Sequence, residues 1–316
     1  MLDICGFVVI DKPAGITSHS CVARLRKVFG IKRIGHGGTL DPSVTGVLPI
    51  AIGNATRLLS YLPGKKTYVG KIQLGKRTKT DDLQGEIIQE MSWPKLNKLI
   101  LEEYITQFLG AIQQKPPQVS SVHINGVRAY KRAREGEVFD LPYKNVYIYT
   151  LNVLEWCQES GLIKIFIECS SGTYIRSLAR DLGEKIGCGG CLFSLRRIKA
   201  MGFIEEQATP LPKINENQEP IHLPEIINPL IALKNMKSTK LFYEEELLKW
   251  RTGRSIVLSN SPVIEATETE TESFLSSNSE KKEGIIVIDP TGEIAGIGNL
   301  ISSNTIKPKI VFNALG

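Results

Sequence analysis

GHGGTLDPSVTGVLP, residues 35–49, is the stretch on which the reading of this chain turns. Glycines at 35, 37 and 38 let the backbone adopt positive φ angles or be approached closely by a ligand. Asp41 precedes Pro42, which biases it toward an extended conformation and presents its carboxylate from a rigid turn. An isolated Asp-Pro is ordinarily a surface turn. Here His36, the glycine pair, Thr39 and Gly46 surround the same carboxylate, more than a turn requires. Asp41 is therefore a candidate for chemistry, although the spacing alone names no reaction.

Working outward, residues 6–10 form a short apolar run that reads as a buried strand, followed by the turn residues Asp11-Lys12-Pro13-Ala14-Gly15. Ser18 stands in an N-cap position. Val22, Leu25 and Val28 recur at helical spacing, and Gly30 can close that helix in a left-handed conformation. Downstream, residues 68–74 alternate as a strand, and Ser92-Trp93-Pro94 predicts a helix running through Leu96, Leu99, Ile100 and Phe108 to Gly110. Ile163, Ile165 and Ile167 alternate as another strand. After Ser170-Ser171-Gly172, a helix with Ile175, Leu178, Ala179 and Leu182 on one face begins near Thr173.

The 316 residues correspond to about two domains. Five prolines between 209 and 229 place the inter-domain linker there or just after, giving domains of residues 1–238 and 239–316. The second holds a short helix at 243–250 and strands at 255–258, 284–288 and 294–298. Residues 259–283, rich in Ser, Thr, Glu and Asn, read as a disordered insertion. A 42% hydrophobic and 23% charged composition is ordinary globular usage, and no apolar stretch approaches the roughly 20 residues that span a bilayer. With no basic, apolar leader at the amino terminus, the cytoplasm is the expected location. The net charge is +6, yet residues 265–283 carry six Glu and two Lys, so the rest of the chain is at +10 and suits a polyanionic partner. Of six cysteines only Cys188-Gly-Gly-Cys191 form a close pair; without a second pair or a nearby His they read as packing, not as a metal or redox site.

The run HGGTLDPSVTGVLPIAIGNATRL resembles the active-site motif of the bacterial TruB-type tRNA pseudouridine synthases. DKPAGITSH, KKTYVGKIQLG, TKTDDLQG, KPPQVSSVHINGVRAYKRAREG, SSGTYIRSLARDLG and LFSLRRIKAMGF resemble further motifs of that family, in the same order, from about residue 6 to residue 202. The resemblance implies an α+β catalytic domain with a largely antiparallel mixed sheet and flanking helices, followed by a small PUA-like β-barrel domain. It implies isomerisation of a uridine in the tRNA T loop, position 55, by an enzyme that flips the base out. On that reading Asp41 is the catalytic aspartate, Tyr68 stacks on the base and Arg176 pairs with Asp41. His36 helps hold the loop, Asp82 contacts neighbouring polar groups, Leu195 lines an apolar pocket, and Lys12 and Tyr174 touch RNA. Residues 115–140, with Arg128, Tyr130, Arg132 and Arg134, resemble the family's mobile insertion that clamps the T arm. Lys79 stands where an acidic residue is common. The resemblance implies no cofactor or metal, no membrane and no protein partner, and a monomer acting on tRNA.

Physical chemistry agrees with these assignments. Making pseudouridine breaks an N-glycosidic bond, turns the uracil and rejoins it through carbon, so the base must leave its stack and stay captive between steps. A stacked aromatic supplies about 1–3 kcal/mol toward holding it. An apolar pocket disfavours an ionised aspartate, and a neighbouring guanidinium offsets that cost.

Overall fold

The computed structural model describes residues 4–124, 126–137, 139–213, 223–258, 263–265 and 283–315, with Arg134 described by its backbone alone. The expected disordered insertion therefore lies, but for 263–265 and 283, outside the described residues, as do residues 214–222 of the proline-rich linker.

The chain opens with β1 (Gly6–Lys12), α1 (Ser18–Phe29), β2 (Ile34–His36) and β3 (Thr45–Ile52). β4 (Lys66–Leu74), β5 (Lys76–Thr78), β6 (Ile87–Glu90), α2 (Lys98–Thr106) and β7 (Gly110–Gln114) follow. A small unit of β8 (His123–Ile124), β9 (Val127–Arg128) and α3 (Ala129–Arg134) precedes the long pair β10 (Lys144–Cys157) and β11 (Leu162–Cys169). Then come α4 (Ile175–Ile186), β12 (Gly190–Ala200), β13 (Phe203–Ile204) and β14 (Thr209–Pro210). The C-terminal part comprises α5 (Pro229–Ala232), β15 (Ser238–Lys240), α6 (Glu244–Arg251), β16 (Ile256–Val257), β17 (Ile285–Ile288), β18 (Ile294–Ser302) and β19 (Thr305–Val311).

The main sheet runs β14-β1-β3-β12-β4-β11-β10-β7, with β2 beside β3 and β13 beside β12. Only β1/β14 and β3/β12 pair in parallel, so the sheet is mixed and largely antiparallel, as expected. Two apolar clusters flank it. Cys21, Val22 and Leu25 of α1 pack on Val8, Ile10, Leu48 and Ile50, while Ile175, Leu178 and Leu182 of α4 join Leu101 and Ile105 of α2 over Ile163, Ile165 and Ile167. A five-stranded second sheet, β15-β17-β18-β19-β16, closes on Trp250. It leans on the first through a shared cluster in which Phe7, Val47 and Leu58 meet Ile286, Ile297 and Phe312.

Three local readings are corrected. Thr17, not Ser18, caps α1: its hydroxyl accepts from the Ser20 amide, and Ser18 is the first helical residue. α2 opens at Asn97 instead of Ser92, because Trp93 Nε1 donates to the Gln158 carbonyl and the Leu96 amide donates to the Gln158 side chain, tying those residues to a turn. Its buried face is Leu101 and Ile105, while Leu99 stands 71% exposed. The proline-rich segment is no free linker where it is described: Thr209–Pro210 pairs with β1, and Phe7 and Ile227 exchange two backbone hydrogen bonds. β15 and β19 had no forecast.

Candidate active site

Asp41 sits in the loop between β2 and β3, which neighbouring elements fix from several sides. Ser18 of α1 accepts from the Leu40 amide at 2.9 Å and donates to the Leu40 carbonyl at 3.2 Å. Lys12, fully buried, donates to the carbonyls of Pro13, Ile16 and Pro42 at 2.8, 2.8 and 3.1 Å. That placement corrects Lys12 as an RNA contact: its ammonium is spent on backbone oxygens and holds the residue next to Asp41. Gly46, at φ +103°, lies against β12, where a Cβ would come within 2.2 Å of the Arg197 carbonyl; no other residue fits. Arg197 reaches back to donate to the Val47 and Gly38 carbonyls.

Against Asp41, α4 presents Arg176. Its position follows from Gly183, where a Cβ would fall 2.1 Å from the Gly190 amide, so helix and strand approach closely. Here the Cys188–Cys191 element finds its use: both thiols are free and buried, and the glycines between them admit the helix. The Arg176 Nε lies 2.9 Å from the Asp41 carboxylate and 3.8 Å from that of Asp82. Its remaining nitrogens donate to the carbonyls of Thr80 and Val119 at 2.8 and 2.9 Å. The fork is thus held on three sides and aimed at Asp41. Asp82 accepts from the Thr80 hydroxyl at 2.6 Å and from the Gln84 amide at 3.0 Å, while Lys79 turns away to pair with Glu86, leaving that network intact. Behind it Asp81 pairs with Arg180 at 2.8 Å; burial outweighs that cation and holds the Asp81 carboxyl above its usual range.

Tyr68 lies in the same apolar cluster as Leu40 and Val44 on one side of Asp41, and Leu195 packs against it. Burial pushes the phenol up to about 12, so it stays neutral and serves as a flat face and a neutral polar group. Beside it, Arg197 is buried with Nη1 unpartnered, and burial pushes the Lys66 ammonium down to about 8. His36 Nδ1 is likewise buried and unpartnered; burial first, then Arg197, His19 and Lys66, disfavour its protonation.

The structure brings Asp41, Tyr68, Arg176, Asp82, His36 and Leu195 to one region and sets the others beside or beneath it. Tyr174 caps α4 and exchanges two hydrogen bonds with the Gln114 side chain, its ring packed against Val122, Ala129 and Leu141. It joins the segment 115–140 to the helix that carries Arg176. In that segment Arg128 is exposed, the Tyr130 amide donates to the Ser120 carbonyl, Arg132 pairs with Glu137 at 2.5 Å and overlies Phe139, and Arg134 ends α3. Sequence reasoning passed over Lys66, Thr80, Gln114 and Arg197, although three of them stand inside the quoted motifs KKTY, TKTDD and SLRR; buried polar residues next to motif positions were the available signal. Among the described residues no group of three or more His, Cys, Asp or Glu could hold a metal, and no helix is long and apolar enough to cross a membrane.

Comparison with known proteins agrees with this geometry. The model of the N-terminal domain of TruB family pseudouridylate synthases matches residues 26–175. A tRNA pseudouridine synthase B of Prochlorococcus marinus strain NATL2A is 53% identical over 315 residues, 98% of each chain, and one of strain MIT 9313 is 52% identical over 317 residues with the same coverage. A chain in a solved Cbf5-Nop10-Gar1 complex shares the fold, with a TM-score of 0.66 at 22% identity over 97% of this chain and 84% of that one. The α+β architecture with a PUA-like C-terminal sheet is therefore the pseudouridine-synthase fold. An aspartate held by a clamped guanidinium beside a buried tyrosine thus has near-full-length relatives of one kind, and the chain belongs to the TruB family of pseudouridylate synthases.

Proposed function

We propose that this chain isomerises uridine to pseudouridine at position 55 in the T loop of tRNA, with Asp41 as nucleophile or base. The observation that carries the reading is the 2.9 Å contact of Asp41 with Arg176, beside buried Tyr68. The names of its close relatives support tRNA as the substrate. In the reaction the bond between uracil N1 and the ribose C1′ breaks, one from C5 to C1′ forms, C5 gives up its proton and N1 takes one. Arg176 orients the Asp41 carboxylate for that work and supplies the positive charge beside it. Tyr68 and Leu195 enclose the uracil while it turns, excluding the water that would trap a cleaved base. Residues 1–238 serve as the catalytic domain, 115–140 as the clamp on the T arm, and 239–316 as an RNA-binding auxiliary, with no cofactor or protein partner, in the cytoplasm.

The test is incubation of the purified protein with an unmodified tRNA transcript, followed by carbodiimide labelling and primer extension. The expected result is a stop reporting pseudouridine at position 55 and no free uracil. Released uracil would instead make the protein a glycosidic hydrolase, and binding without either product would make it a non-catalytic RNA-binding factor.

A further inference from the structure

Two cations beside the site lack the anion that their burial calls for. Lys66 and Tyr68 lie two residues apart on β4 and so on one face of the sheet, and Arg197 of β12 stands directly opposite Tyr68 in the register. Lys66 Nζ and Arg197 Nη1 converge on one point: a Cβ placed on Gly38 would be 3.1 Å from the first and 3.6 Å from the second. Arg197 is fully buried, and although its guanidinium neighbours the Tyr68 phenol, no described group takes a well-formed hydrogen bond from Nη1. The half-buried Lys66 side chain makes no hydrogen bond or ion pair with the described residues, in contrast to Lys65, which holds Glu168 at 3.3 Å. The nearest thiol, Cys169 across the register from Lys66, is pushed up to about 11 by burial and stays neutral, so it is no counter-ion. His36 Nδ1, also buried and unpartnered, is close enough to feel both charges.

A fully buried guanidinium nitrogen without a partner costs stability, and a structure that keeps it beside a half-buried ammonium is poised for a ligand that supplies the acceptor. A uracil carbonyl is neutral and satisfies a donor without balancing two positive charges. A phosphodiester brings both the charge and several acceptor oxygens. Gly38 leaves the point between the two cations free of any side chain and lies three residues before Asp41.

We propose that Lys66 and Arg197, over Gly38, form a cradle for an RNA phosphodiester flanking the uridine that is isomerised, with Lys66 as the positioning residue that sets the reacting nucleotide against Asp41. This rests on the uridine-isomerase reading above and adds to it a place for the backbone of the flipped nucleotide. Arg197 also holds the Gly38 and Val47 carbonyls, so Lys66 is the residue to vary.

The experiment uses the full chain and a T-arm stem-loop carrying a neutral methylphosphonate at each of the linkages around the target uridine in turn. Wild type is expected to lose about tenfold in affinity at one linkage, and Lys66→Met to lose less than about twofold there, since the charge partner is already gone. The log–log salt dependence of binding becomes shallower by about 0.7 to 0.9 in Lys66→Met, and Lys66→Arg restores both behaviours. A scaffolding lysine predicts otherwise: equal sensitivity to every linkage in wild type and variant, with an unchanged salt slope, overturns the cradle. Lys66→Gln, compared by thermal melt, guards against a folding defect of the Met variant. Conversion of the unmodified stem-loop by wild type tests the isomerase reading separately: conversion without linkage coupling overturns the cradle alone, and absence of RNA binding overturns both.

Discussion

At the residue scale, the site depends on where each positive charge is spent. Arg176 uses its planar fork on Asp41 and two carbonyls at once, which an ammonium cannot do. Arg176→Lys is therefore expected to lower kcat about 100-fold with little change in tRNA affinity, and Asp41→Asn to lower it by at least about 1,000-fold, both read by single-turnover pseudouridine formation. Lys66 carries an opposite signature. Its folded value of about 8 lies below the ordinary 10.5, so between those pH values the unfolded chain holds a proton that the folded protein lacks, and stability on this account rises with pH across that window. At neutral pH both states hold the proton, so the charge opposes folding, and partial exposure of the side chain reduces that cost. Lys66→Met should accordingly stabilise by about 1–2 kcal/mol at pH 7 and flatten the rise between pH 8 and 10.5, measured by urea unfolding across that range. The pairing of Asp41 with Arg176 was not legible from spacing, because 135 positions separate them in a chain that must fold to bring them together. Only the family motifs linked them, and those motifs also contained Lys66 and Arg197; that Arg197 Nη1 is left without an acceptor is a property of packing.

At the scale of elements, the sequence was readable where periodicity and burial coincide. In α1, β11 and α4 the apolar residues recur on one face and that face meets the core, so both helices and the strand were anticipated to within two residues. α2 starts later than its sequence suggests: Pro94 is a good first-turn residue, yet the Gln158 turn claims Trp93 and Leu96 before a helix can start. β19 was missed because Pro308, between Lys307 and Lys309, breaks its apolar alternation, and β15 because three residues carry no pattern. The tight passage of α4 over β12 was likewise visible only as glycines. Gly183→Ala puts a Cβ 2.1 Å from the Gly190 amide, so the helix must lift, and Arg176 with it. The expected cost is about 2–3 kcal/mol in stability together with at least about tenfold in kcat, checked by thermal melts and turnover on the same preparation. A stable variant with full turnover would show that α4 does not set the position of Arg176.

At the scale of the whole molecule, two sheets share one apolar cluster, and this decides how the chain unfolds. Phe312 and Ile310 at the end of β19, with Ile286 and Ile297, pack into a cluster that contains Phe7 and Val47 of the first sheet, and Arg57 donates to the Val311 carbonyl at 2.7 Å. The boundary near residue 238 marks a change of sheet, not a break in the core. Composition could not reveal this, because proline spacing reports where regular structure stops and says nothing of which faces meet afterward. Removing the Phe312 ring leaves a cavity at the seam, with an expected loss of about 3–4 kcal/mol. The tryptophans distinguish the two possible responses: Trp93 and Trp156 pack on the first core, and Trp250 is buried in the second. With single-tryptophan versions of the chain, Phe312→Ala should shift the unfolding midpoints reported by Trp156 and by Trp250 together, because each sheet loses part of its support. A shift confined to Trp250 would mean that the sheets fold as separate units and that the shared cluster contributes little to the catalytic one.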